Sequence, residues 1–200
     1  PFRVQDALMI KKYPCCGGNH AMLDSLFSLM REHNFTYDDV VNAEVDQSFL
    51  SIVMLYEEPD DELKGKFSAK YNVAAALVDE EVNIGTFSQG KIDDPKIQEA
   101  MGKVTNRVMA KAEEGLTDHG QGLPIRITLK DGRIIEHRTS RGNILGAQGN
   151  PWGFDNIKNK FEFNAGLALS RERVQDTINT WSDIGSVTDL AENIQKTLVR

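Results

Sequence analysis

With 200 residues, 40% of them apolar and 26% charged, the chain is long enough to bury a core, as one large domain or two small ones. A net charge of -7 excludes binding to duplex nucleic acid or an anionic membrane through bulk electrostatics, so any anion site must be a local basic pocket. Two adjacent cysteines, Cys15 and Cys16, give neither a disulfide framework nor the spacing of a zinc pair, which points to a reducing cytoplasm and no metal, and no run reaches the ~18 apolar residues of a membrane span. In chain order, Ala7 to Lys12 reads as a strand. The stretch KKYPCCGGNHAMLD, Lys11 to Asp24, then turns over Gly17 and Gly18 into an amphipathic helix from Asn19 to His33, with Met22, Leu23, Leu26, Phe27, Leu29 and Met30 as its apolar face. Glycines allow close backbone approach, and a first helical turn leaves N–H groups free at the positive end of the dipole. Together with two lysines and His20 these suit a carboxylate or phosphate, although ordinary turn chemistry uses the same letters.

After a turn at Asn34 to Asp39, Val40 to Val45 and Phe49 to Leu55 read as strands, the second apolar enough to be central in a sheet. The acids of EEPDD, Glu57 to Asp61, mark a helix start. From Leu63 the text KGKFSAKYNVAAALVDEE runs as a helix, with Ser68 to Asp79 as the part that covers the sheet, rich in alanine where it packs. Val82 to Phe87 and Pro95 to Met101 read as short helices around the loop SQGKIDD, the second supported by proline in its first turn. Val104 to Lys111 fits a strand or a helix. Ile125 to Leu129 and Arg133 to His137 form a hairpin over Lys130 to Gly132, where Asp-Gly signals a type I′ turn. Beyond the glycine-rich loop TSRGNILGAQGNPWG the pattern is helical: Phe154 to Phe163, Ser170 to Ile184 and Val187 to Leu198, with Ser170 and Ser186 as helix starts. The fold class is therefore α+β, a mainly antiparallel sheet covered by helices over residues 1–138, followed by a loop and helical tail over 139–200.

Four segments, KKYPCCGGNHAMLD, KFSAKYNVAAAL, ITLKDGR, and SRGN followed by NPWGFDNIKNKF, together resemble the carboxy-terminal part of the MmgE/PrpD family over about Ile10 to Leu190. That family includes 2-methylcitrate dehydratase, cis-aconitate decarboxylase and iminodisuccinate epimerase. The resemblance implies that residues 1–138 are an α+β lid and that the tail returns to a large all-α domain built mainly from an amino-terminal half absent from this sequence. Without that half, the 200-residue chain is expected to show no turnover and to self-associate through its apolar tail.

The implied function is a lyase acting on a small di- or tricarboxylate such as 2-methylcitrate, without metal or organic cofactor, as a cytoplasmic homodimer. An epimerase of the same family and a non-catalytic carboxylate-binding module are the alternatives. Matched by motif, His20 and Tyr71 are the catalytic pair, and Lys11, Ser68 and Arg141 bind the substrate. Proton removal beside a carboxylate needs a base, an acid, and cations over the spreading charge. The charged form of His20 is disfavoured by the helix dipole and favoured by a bound tricarboxylate, and Lys66 and Lys70 would lower the Tyr71 pKa if they came close. Lys11 is preferred to Lys12 because the family's lysine stands two before the YP pair, and on a strand only one of the two faces the pocket. Ser68 binds a carboxylate or caps the next helix, and Cys15 and Cys16 are packing residues. His20, Tyr71 and Lys11 are expected to meet on one open cleft, where Gly17 and Gly18 remove a side chain that relatives carry.

Overall fold

The computed structural model describes residues 10–47, 56–108, 124–147 and 149–197. Chain contacts divide it into two compact units, Pro1–Pro151 and Trp152–Arg200.

The first unit is built on helix α1 (His20–His33) and a four-stranded mixed sheet of β1 (Val40–Gln47), β2 (Val104–Val108), β3 (Pro124–Leu129) and β4 (Ile134–Arg138), ordered β2-β1-β3-β4. β1 pairs antiparallel with β3, and β3 with β4, whereas β1 and β2 are parallel. A parallel neighbour requires a crossover, which here carries α2 (Glu62–Lys66), α3 (Ala69–Asp79), α4 (Gln89–Ile92) and α5 (Pro95–Met101). The inner sheet face presents Ala43, Val45, Ile125, Ile127, Leu129 and Ile135, all buried, to the helices. α1 lies against β3 and β4, and α3 against β2 and α5. Leu23, Leu26 and Leu29 recur at helical spacing on the buried face of α1, each worth about 1.5–3 kcal/mol relative to exposure. Asn34 ends that helix in the left-handed conformation at φ 48°. The outer face is polar. Glu44, Arg126 and Glu136 stand opposite one another across three strands and are ion-paired, and Arg107 grips Asp46 with two contacts of 2.8 Å.

Several expectations change. Ile10 to Lys12 is not a strand: the chain bends over Lys12 to Cys15 around Pro14, and the Ile10 N–H pairs with the Gly146 carbonyl at 3.1 Å. Residues 7–9 and the strand expected at Phe49 to Leu55 lie outside the described residues. The helix expected from Leu63 onward is two helices. It breaks at Phe67 because the Ser68 hydroxyl accepts the Tyr71 N–H at 3.1 Å and starts α3 afresh. Part of SQGKIDD forms α4, and the ambiguous run after Val104 is strand β2 as far as Val108. The hairpin forms in the expected register, Ile127 opposite Ile135, but its turn is not type I′, for which both central residues need positive φ. Only Gly132 has it, at 87°. The Leu129 N–H pairs with Arg133 across a three-residue loop.

The second unit contains α6 (Phe154–Gly166), α7 (Arg171–Trp181) and α8 (Leu190–Thr197). Ser170 caps α7 as expected, but Asp189 rather than Ser186 starts α8, accepting the Glu192 N–H at 2.8 Å. The Trp181 indole donates to the Thr197 hydroxyl at 2.9 Å, and Val174 and Ile178 are buried beside it.

Candidate active site

Two of the sequence motifs are fastened together at the α2–α3 break. The Lys66 carbonyl has no helical partner there and accepts the Cys16 N–H at 3.0 Å and the Asn19 side-chain amide at 3.4 Å. From the other side, the Asn72 amide donates to the carbonyls of Gly65 at 2.9 Å and Ser68 at 2.7 Å, fixing the shape of the break. The turn carrying Gly17, Gly18 and His20 is thus held against the start of the helix carrying Ser68 and Tyr71. A third segment joins through Asp24 on α1. One of its oxygens accepts the Tyr13 hydroxyl at 2.8 Å and the other accepts the Leu145 N–H at 2.8 Å, while Ser25 and Thr139 share a buried hydrogen bond of 2.9 Å. Gly146, at φ 95°, is required at this seam, because a Cβ there would lie 2.1 Å from the Ile10 carbonyl oxygen.

His20, at 0% exposure, sits edge-on against the Tyr13 ring, centroids 5.3 Å apart, and Tyr13 in turn stacks on Phe27 at 5.9 Å. Tyr71, also at 0%, donates its hydroxyl to the Thr86 carbonyl at 2.5 Å. Its pKa is raised rather than lowered, by burial first and then by the charges of Asp79 and Asp94, so Lys66 and Lys70 do not activate it as expected. Lys11 lies just before the bend rather than on a strand, and its ammonium donates to the Cys15 carbonyl at 3.0 Å. Ser68 is buried and acts as the α3 cap. Arg141 is in a short turn over Arg141–Asn143, in the segment anchored by Asp24, and its side chain is not among those described. Burial of His20, Ser68 and Tyr71 does not fit the expected open cleft. Burial also pushes the Cys15 thiol up to about 12, which makes it an inert packing group. Among the described residues, no three His, Cys, Asp or Glu side chains gather as a metal-binding group.

Sequence reasoning passed over Tyr13, Asn19, Asp24 and Asn72, and it set Lys12 aside. The Lys12 ammonium rests over the rings of Tyr13 at 4.6 Å and Phe27 at 5.4 Å, and 4.0 Å from Asp24. Burial holds its pKa below the usual lysine range, a drop that Asp24 partly offsets. One signal was available: Asp24 stands four residues after His20, one helical turn along the same face.

The MmgE/PrpD C-terminal domain family matches residues 13–183, most of the chain. The chain belongs to the MmgE/PrpD family. A curated relative, the cis-aconitate decarboxylase of Mus musculus, is 25% identical over 131 residues, 66% of this chain and 26% of the relative. The match therefore spans about a quarter of that relative's length. Of the candidate residues, the MmgE/PrpD match includes His20, Ser68, Tyr71 and Arg141, and Lys11 lies two residues before it. Both motif segments joined at the Lys66 carbonyl fall within the matched span, apart from Lys11 and Lys12.

Proposed function

We propose that this chain is the carboxy-terminal part of a MmgE/PrpD lyase that removes water or carbon dioxide from a small di- or tricarboxylate by proton transfer alone. The observation that carries the reading is the junction at the Lys66 carbonyl, which fastens the segment from Lys11 to His20 to the helix start bearing Ser68 and Tyr71. In a dehydration, a base takes the proton beside the carboxylate, the C–O bond breaks, and an acid protonates the leaving hydroxide. In a decarboxylation, carbon dioxide leaves and the acid protonates the carbon. Either path passes through an enolate-like species, whose charge Lys11 and Arg141 would face, with His20 moving the proton. Tyr71 can act as the acid only if substrate replaces the Thr86 carbonyl as its hydrogen-bond partner. On this reading residues 1–138 form a lid, the tail from 139 belongs with an all-α domain, and the enzyme works as a cytoplasmic homodimer.

That buried Tyr71 hydroxyl favours a second reading, a carboxylate-binding module without chemistry. The two are separated in the full-length protein by turnover of 2-methylcitrate and cis-aconitate. His20→Ala should lower the rate by about 10²- to 10⁴-fold, the usual range for one proton-transfer group. Carboxylate binding without turnover, or turnover that survives both His20→Ala and Tyr71→Phe, overturns the catalytic assignment.

A further inference from the structure

We infer that Asp24 is a positioning residue for the candidate active site, setting both the His20 ring and the turn that carries Arg141. The inference rests on the assignment of His20 proposed above. The Asp24 side chain bonds to both flanking segments. Its Oδ1 accepts the hydroxyl of Tyr13, and the Tyr13 ring is the surface against which His20 stands. Its Oδ2 accepts the backbone N–H of Leu145, four residues beyond Arg141. An ionised carboxylate accepts on both oxygens at once, which an amide of the same shape cannot do, and it offers a negative charge to the Lys12 ammonium 4.0 Å away.

A residue needed only to hold two loops could be replaced by any acceptor. The arrangement around Asp24 is more particular. Tyr13 is pinned on three sides, by Phe27 stacked on it, by His20 in a T-shaped contact and by Asp24 at its hydroxyl, so its ring cannot turn without releasing one of them. Because Asp24 follows His20 by one turn of α1, the bond to Tyr13 fixes the ring relative to the helix on which His20 rides. The Leu145 contact does the same for the 139–147 segment, together with the buried Ser25–Thr139 bond and the Ile10–Gly146 pair.

The two arms predict different kinetic signatures in the full-length enzyme. Tyr13→Phe keeps the ring and loses the hydroxyl. It should lower kcat severalfold and displace the pH profile of kcat, with KM within twofold of wild type. Asp24→Asn loses an acceptor on the Leu145 side or the Tyr13 side, and should lower kcat about tenfold and also raise KM at least fivefold. A purely structural role would instead reduce the amount of folded enzyme and leave KM, kcat per folded site and the pH profile unchanged, which overturns the proposal. If Asp24→Asn fails to fold, Tyr13→Phe and Asp24→Glu decide by the same two readouts. His20→Ala is measured alongside. Full activity in that variant removes the catalytic assignment itself and this inference with it. Loss of activity there, with Asp24→Asn and Tyr13→Phe both at wild-type values, removes only the role of Asp24.

Discussion

Gly146 and Gly17 carry the same side chain under opposite constraints. At Gly146 the backbone lies at φ 95° and a Cβ would be 2.1 Å from the Ile10 carbonyl oxygen. At Gly17 φ is not positive and a Cβ would meet nothing within 4 Å. Gly146→Ala should therefore destabilise the first unit by about 1–3 kcal/mol, the usual cost of a strained backbone position, whereas Gly17→Ala should stay within about 0.5 kcal/mol of wild type. Urea unfolding followed by tryptophan-independent far-ultraviolet signal compares the two directly, and equal midpoints would contradict the geometry at the Ile10 seam. Tyr71→Phe removes the hydroxyl bonded to Thr86 and leaves that buried carbonyl short of a donor, a loss of about 1–3 kcal/mol. If the same variant also abolishes turnover at temperatures where it remains folded, the hydroxyl has a chemical role in addition to the structural one.

Among the elements, the break between α2 and α3 has the most consequences, because the carbonyl it frees is the one that receives the Cys16–Asn19 turn. Ser68→Ala should cost about 1 kcal/mol as a lost helix cap. Asn72→Asp should cost more, since it sets a carboxylate against the Gly65 and Ser68 carbonyls that now receive its amide, and the difference in melting temperature between the two variants measures it. In the letters KGKFSAKYN, Ser68 left two readings open, a carboxylate ligand or a helix cap, and what stops the first helix is that cap, reinforced by Asn72 from inside the following turn. The hairpin was legible because Ile125, Ile127 and Leu129 alternate with polar residues. Its turn type was misread because Asp131 keeps an ordinary φ and only Gly132 takes a positive one. β2 could not be separated from a helix, since VTNRV is too short for either period to show. As for the site, the motifs marked two segments that the fold fastens together at the Lys66 carbonyl, but no pattern in one segment reveals that a polar histidine at a helix start is fully buried.

At the scale of the whole chain, the raised thiol and phenol pKa values make a pH prediction. Between pH 9.0 and about 12 the folded chain keeps the Cys15 proton that the unfolded chain has released. Stability from this group is complete below pH 9.0 and falls as pH rises toward 12, and the buried Tyr13 and Tyr71 add to the fall above pH 10, for the same reason. Denaturant midpoints should decline across that window, and Cys15→Ala should flatten the lower part of the slope. A midpoint indifferent to pH up to 11 would mean that these groups are not buried. The second unit has a thinner interior: Val174 and Ile178 are its buried apolar side chains among the described residues, while Phe154, Phe163, Leu167 and Leu190 are exposed. A peptide of residues 152–200 should accordingly show little helix by circular dichroism when dilute, and gain it as concentration rises.

The bond between Ile10 and Gly146 has a geometrical consequence of its own. Two points 136 positions apart in the chain, 10 and 146, lie side by side, so everything between them is a cassette with a pinched neck. The neck is already closed by the fold, so joining those two points covalently removes freedom from the unfolded chain and asks little of the folded one. A ring made from residues 10–146 by a short glycine bridge should melt higher than the same segment left open. By the same reasoning, an unrelated scaffold offering two neighbouring attachment points could carry the cassette intact.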